Sequence, residues 1–249
     1  MAYGTVNADL IGTSTANANL GAKNASTLQN RLIDAGFTIN QRGYTSGTSL
    51  SSGSYGHDRW KAGSGGCTYT FTQGSTGVPI VITITAGSLQ QVIEGCNMPE
   101  GGTYVLSWTG TAQARFNGGS YSSSPLAVTG ITAGANTTIE FNTGTLSYPQ
   151  LEVGSVATGY EYRQYGQELA LCQRYYQIKG AVITSSSIYQ NIHFMVGMRT
   201  VPTIGTVTFD GGTGATFANA SYGVNTEHIY QSANHSSTNQ ALIPLSAEL

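Results

Sequence analysis

Residues 146–177 read LSYPQLEVGSVATGYEYRQYGQELALCQRYYQ, and the change of period inside this stretch divides the chain. Tyr148, Pro149, Gln150, Leu151 and Glu152 alternate like a strand, and Pro149, which has no N–H for a ladder, fits a strand start or an edge. Residues 159–166 form an aromatic, charged connector. Leu169, Cys172, Tyr175 and Tyr176 then recur at helical spacing, which predicts a linking helix of about three turns over 166–178. β-rich sequence lies on both sides, so the helix is the expected joint between two domains.

Upstream, residues 30–39 alternate as a first strand kinked at Gly36, and Trp60 reads as a core anchor after a long Gly/Ser/Thr/Tyr loop at 45–57. Long loops on rigid scaffolds often bind ligands. Strands are expected at 68–72, 80–85 and 90–94, with Val78, Ile80, Ile82 and Ile84 on one face. Tyr104, Leu106 and Trp108 share a face of the next strand, with which 112–116 is expected to pair; 127–131 and 137–141 continue the pattern. About eight to ten strands in this span suit a sandwich or jelly roll. Downstream, β character resumes at 181–183, 191–195 and 206–209. A turn at Asp210-Gly211-Gly212, a return strand at 216–218 and a last alternating strand at 241–249 complete the pattern. About seventy residues make a thin core, so this part is expected to lean on oligomer contacts.

Charged residues are 9% of the chain, against roughly 25% in ordinary globular proteins. Gly, Ser, Thr, Asn and fifteen tyrosines take their place, and the net charge is -2. Such a surface gives no electrostatic case for nucleic acid or anionic membranes, and no apolar run approaches the roughly 20 residues of a membrane span. It suits neutral polyols such as glycans, and it suits subunit packing equally. The first residues lack a basic segment followed by a hydrophobic core, so no secretion signal is expected. Cys67, Cys96 and Cys172 cannot all pair, and free thiols are expected.

Catalytic constellations are weak. Glycoside cleavage needs two carboxylates about 5 to 9.5 Å apart, and Glu94, Glu140, Glu152 and Glu161 show no catalytic setting; Glu161 is expected to pair with Arg163. His57 and Asp58 are adjacent and would face opposite sides of a strand, while His193, His228 and His235 lack zinc spacing. Cys172 has no basic partner, and residues 63–66 lack the lysine of a phosphate loop. No catalytic residue, metal site or cofactor is assigned. Aromatic recognition remains, because tyrosine faces stack on the C–H faces of sugars while polar side chains bond the hydroxyls. The loop candidates are Tyr44, Tyr55, Tyr121, Tyr189, Tyr222 and Tyr230.

PQLEVGSVATGYEYRQYGQELALCQRYYQ resembles the signature that closes a jelly-roll module in tail-fibre and appendage proteins of tailed phages. MAYGTVNADLIGTST at the start, NRLIDAGFTINQRG, HDRW and the terminal SAEL extend the resemblance. It implies a non-enzymatic virion protein made in the host cytoplasm and released by lysis. The implied fold is all-β: a jelly-roll β-sandwich, similar to carbohydrate-binding modules, over 30–165, the linking helix, and a small C-terminal β domain over 179–249. Residues 1–29 would be an attachment or interchain segment that contacts other tail or capsid proteins. The implied assembly is a homotrimer, and the implied partner is a host surface glycan. With residues 1–29 as the attachment end, the opposite tip faces outward, which favours Tyr222, Asn225, His228 and Tyr230 as the receptor site. A virion structural component without receptor binding, and a polysaccharide depolymerase, are the rival readings.

Overall fold

A computed structural model of the chain describes residues 29–183, 188–210, 223–224, 228–233 and 239–249. The expected attachment segment up to residue 28, the turn beyond Asp210 and the return strand at 216–218 lie outside the described residues. The fold is all-β, and every strand pair among the described residues is antiparallel. No helix among them is long and apolar enough to cross a membrane.

Eight strands build the sandwich: β1 (Ser49–Leu50), β2 (Lys61–Phe71), β3 (Ile82–Ile93), β4 (Gly102–Thr109), β5 (Ala114–Phe116), β6 (Leu126–Ile131), β7 (Thr137–Phe141) and β8 (Gly144–Val153). One sheet runs β1-β2-β3-β7-β5 and the other β8-β4-β6. β8 belongs to both. Its first half pairs with β3 (Ile82↔Leu146) and its second half with β4 (Leu106↔Leu151). From β3 to β8 the chain alternates between sheets, as a wrapped jelly-roll ribbon does.

The core follows the alternation of the sequence. Ile82, Ile84 and Leu89 of β3 meet Tyr104, Leu106 and Trp108 of β4 and Ile139 and Phe141 of β7, all buried. Trp60 is fully enclosed: it packs on Phe37 at 4.9 Å and Phe141 at 6.0 Å, and its indole N–H donates to the Asp34 carbonyl at 2.8 Å. Trp108 meets Phe141 edge-on at 5.3 Å, tying one sheet to the other. Burying each of these rings contributes on the order of 2–3 kcal/mol.

Several expectations need correction. Residues 30–39 are not a strand. Burial runs without a break from Leu32 to Phe37 instead of alternating, and the Asp34 carboxylate accepts the N–H groups of Thr38 and Ile39 and holds a turn instead of a ladder. Segments 80–85 and 90–94 merge into the single strand β3, while Val78 stays outside it, half-exposed at 53%. β5 pairs with β7, not with the β4 strand that precedes it.

The helix α1 (Tyr165–Gln173) is also shorter than its spacing implied. Tyr176 opens β9 (Tyr176–Ile183), which pairs along its whole length with β15 (Asn239–Ser246). Eight ladder pairs outcompete further helical turns whose only support is side-chain spacing. β11 (Thr203–Ile204) and β12 (Thr208–Asp210) line the other side of β15. β10 (Ile188–His193), β14 (His228–Ala233) and β13 (Gly223–Val224) make a second small sheet. Ile243, Leu245 and Ala247 face inward onto Met198, as the alternation of the last strand predicted.

Candidate binding surface

The crossing of β8 from one sheet to the other generates an unusual surface. Ser147 pairs with Thr109 and Gln150 with Ser107, so the ladder skips Tyr148 and Pro149 in a bulge. Pro149 therefore falls mid-strand at the one place where its missing N–H costs no ladder bond. Tyr148 takes a left-handed backbone, φ 53°, which a bulky residue seldom adopts. The kink sets its ring 5.1 Å from Tyr160 and 6.2 Å from Tyr162, and Tyr160 and Tyr162 meet at right angles at 4.9 Å.

The connector that carries Tyr160 and Tyr162 has no ladder of its own, yet side chains pin it. The Gln150 amide donates to the Thr158 hydroxyl and the Gly159 carbonyl, both at 3.1 Å, and accepts the Glu161 N–H at 2.7 Å. Glu152 accepts the Thr158 N–H at 2.8 Å and its hydroxyl at 2.7 Å. Glu161 takes the Asn30 N–H at 2.7 Å, its strongest contact, with Arg163 only at 3.8 Å. Arg163 donates to the carbonyls of Leu32 and Asn30 and pairs with Glu168 at 3.3 Å. These bonds satisfy backbone that would otherwise lack partners. The result is a tyrosine shelf on which Tyr162 (69% exposed) and Tyr165 (39%) face solvent. Beside it runs a shallow cleft lined by Gly36, Thr38, Gly77, Pro79, Arg163 and Glu168. Gly77 adopts φ +78°, and a Cβ there would stand 3.2 Å from that of Tyr165, so this wall is tight.

Arg42, Arg59, residues 174–176, Glu248 and Leu249 converge on a second, buried place. Glu248 receives Arg42 at 2.9 Å and is also bonded by Arg59. Arg59 lies 3.7 Å over the Tyr175 ring and Arg42 3.7 Å over the Tyr176 ring. The Tyr175 hydroxyl donates to Glu94 at 2.9 Å, which Arg174 joins at 3.1 Å. Burial pushes the Glu94 carboxyl up, but these two donors outweigh it and hold the group below its ordinary range. The Leu249 main-chain oxygen accepts from Tyr55 at 2.8 Å and Lys61 at 2.5 Å. This joint clasps the last strand onto the sandwich.

The sequence-derived candidates separate. Tyr44 is buried and Tyr55 belongs to the joint, while Tyr121 lies under Arg115 at 4.5 Å. Tyr189 falls on β10. Tyr222 and Asn225 lie outside the described residues; His228 and Tyr230 fall on β14, opposite His193 and Asn191 in its register. The loop at 45–57 walls an open groove of about 400 Å³ lined by Ser49, Ser51, Ser52, Ser64 and Thr68, with hydroxyls but no ring. The shelf tyrosines were missed because the sequence places them in a connector and a strand. The signal available was the density of aromatics in GYEYRQY.

Cys67 and Cys172 are buried and Cys96 exposed, all three unpaired, and burial pushes the Cys172 thiol well up, away from the nucleophilic thiolate. Glu140 pairs with Arg115 at 2.8 Å and accepts the Ser88 hydroxyl at 2.5 Å. Among the described residues no three His, Cys, Asp or Glu side chains are grouped to hold a metal ion. No family model, curated protein or solved structure matches the chain.

Proposed function

We propose that the chain is a non-catalytic subunit of a tailed-phage tail fibre or related appendage, and that it adheres to neutral glycans on the host surface. The observation that carries this reading is the fate of its charge. All seven arginines, Arg31, Arg42, Arg59, Arg115, Arg163, Arg174 and Arg199, have an intrachain carboxylate partner. Cation and anion cancel close to or inside the fold, so the described exterior presents hydroxyls, amides and tyrosines with little field. That is the chemistry that recognises uncharged polyols, and it gives an anionic polymer little to hold.

A second reading, a virion structural component without receptor binding, draws on the outer face of the C-terminal sheet. Ile178 and Leu242 are exposed there, with Pro244 opposite Ile178 in the register. Packing of this face in a homotrimer would supply the apolar burial that the small inner core lacks. The test is binding of fluorescently labelled full chain, of oligomeric state established by sedimentation, to candidate host cells before and after periodate oxidation. Adhesion predicts binding that oxidation abolishes. An intact oligomer that binds no host would favour the structural reading.

A further inference from the structure

We propose that the tyrosine shelf at the β8 crossing is the sugar-contacting site, taking the apolar face of an uncharged pyranose on Tyr162 and Tyr165. The proposal rests on the adhesion reading above and adds the place and the ligand class.

Three observations converge on it. The first is exposure. Tyr162 is 69% exposed, with one side of its ring on Tyr148 and Tyr160, and Tyr165, at the start of α1 and on the same cleft, is 39% exposed. The second is rigidity. Tyr148 and Tyr160 back the shelf through edge-to-face contacts, and the Gln150, Glu152 and Arg163 bonds fix the connector beneath. A ring already held in place loses little freedom when a ligand lies on it. The left-handed Tyr148 backbone is strain of the kind that concentrates at binding sites, and here it sets the ring that props Tyr162.

The third observation is the polarity of the cleft. Half-buried Thr38 borders it with a hydroxyl, and the buried Arg163–Glu168 pair, already bonded to each other and to the backbone, forms a polar floor beneath the aromatic surface. Sugar recognition on such a surface rests on the ring faces, which take the C–H surface, with tyrosine and threonine hydroxyls at the rim for the sugar hydroxyls. The Arg163–Glu168 pair, 3.3 Å apart, cancels its own charge, so the cleft offers no unpaired cation to select a sialic or uronic acid. An uncharged hexose or N-acetylhexosamine is the class that fits.

The test uses full-length protein on a printed array of neutral hexose and N-acetylhexosamine oligosaccharides with sialylated and uronic counterparts, alongside the host cells. The double variant Tyr162→Ala/Tyr165→Ala retains the Tyr165 Cβ that meets Gly77; it gives up the Tyr162 contacts with Tyr148 and Tyr160, a small loss of stability, and should still fold cooperatively in the same oligomeric state. It is expected to lose about ten-fold or more in binding to neutral glycans, the loss of two stacking faces. Tyr162→Phe/Tyr165→Phe, which preserves the faces and removes the hydroxyls, should retain most of it. Tyr222→Ala/Tyr230→Ala should leave binding intact. Undiminished binding by the Ala pair overturns the shelf while adhesion stands, and a simultaneous loss in the Tyr222/Tyr230 pair would move the site to the opposite tip. Loss of oligomerisation by the Ala pair would assign the shelf to subunit packing and overturn the proposal. A wild-type chain that binds neither cells nor array overturns the adhesion reading and the shelf together.

Discussion

His57 and Asp58 are neighbours in one tight turn, closed by the Trp60 N–H on the His57 carbonyl, and enclosure drives their titrations in opposite directions. Burial lowers the His57 imidazole from 6.5 to about 4. Burial raises the Asp58 carboxyl from 3.8 to about 6, against the pull of Arg42 and the Gln41 donors. Folded His57 refuses a proton that the unfolded chain accepts below 6.5, so its contribution to stability falls as pH drops from 6.5 to 4. Folded Asp58 takes a proton that the unfolded chain binds only near 3.8, so its contribution grows as pH drops through 6 toward 4. At about 1.4 kcal/mol per pKa unit, each amounts to roughly 3 kcal/mol, and the two nearly cancel. Relative to wild type, His57→Gln is therefore expected to gain stability on acidification from pH 6.5 to 4, and Asp58→Asn to lose it, each by about 2–3 kcal/mol. Urea midpoints at several pH values check this, and two variants that both track wild type would refute the titrations. The sequence read this pair as unable to share a metal because strand neighbours face apart. The structure reaches the same separation through a turn, with His57 on Tyr69 at 2.9 Å and Asp58 on Gln41 and Arg42.

At the scale of elements, β8 shows where alternation stops being informative. Period-two patterning reports which residues face a core, and it did so for β3, β4 and β15. It cannot report which strand lies alongside, so the crossing of β8 between sheets and the pairing of β5 with β7 were not legible. Spacing also failed at the end of α1, because the ladder that captures Tyr176 is formed with residues seventy positions away. Residues 30–39, expected to alternate as a strand, bury a continuous run from Leu32 to Phe37 on a backbone held by the carboxylate of Asp34 instead of by a neighbouring strand. The shelf inherits this blindness: Tyr148 comes from a strand, Tyr160 and Tyr162 from a connector and Tyr165 from a helix start, and the bulge is what sets Tyr148 against the connector pair. The bulge itself yields a prediction that separates local backbone from strand propensity. Tyr148→Val, the better strand former, must place a β-branched residue at φ 53°, whereas Tyr148→Gly relieves that conformation. Both lose the ring contacts, so their difference isolates the backbone. Gly is expected to be the more stable by about 1–2 kcal/mol in urea unfolding. A more stable Val variant would mean that the ladder, not the local kink, governs this position.

For the molecule as a whole, the joint decides whether the sandwich and the last strand unfold as one. The sandwich has a large shared core, whereas among the described residues the sheet on β15 has a small apolar cluster of Met198, Ile243, Leu245 and Ala247 with a few half-buried neighbours. Cohesion between them runs through Glu248, which lies between Arg42 and the enclosed Arg59, and through Arg199, which reaches Glu94 beyond the end of β3 at 4.0 Å. The Ala247 N–H closes onto the Tyr175 carbonyl at 2.8 Å. Removing Glu248 would leave Arg59 buried against Tyr175 without a carboxylate, and breaking such a pair from one side costs about 3–5 kcal/mol. Glu248→Ala is expected to carry that loss. Glu248→Gln retains shape and an acceptor for one guanidinium and should cost less. The distribution of the effect matters more than its size. If the joint is what couples the two parts, Glu248→Ala accelerates hydrogen exchange at the β9 and β15 amides at temperatures where β3 and β4 remain protected. Calorimetry should then resolve an early transition that the wild type does not show. Uniform acceleration across β3, β4, β9 and β15 would mean instead that Glu248 stabilises one cooperative unit, with the cost of the buried arginine shared by the whole fold.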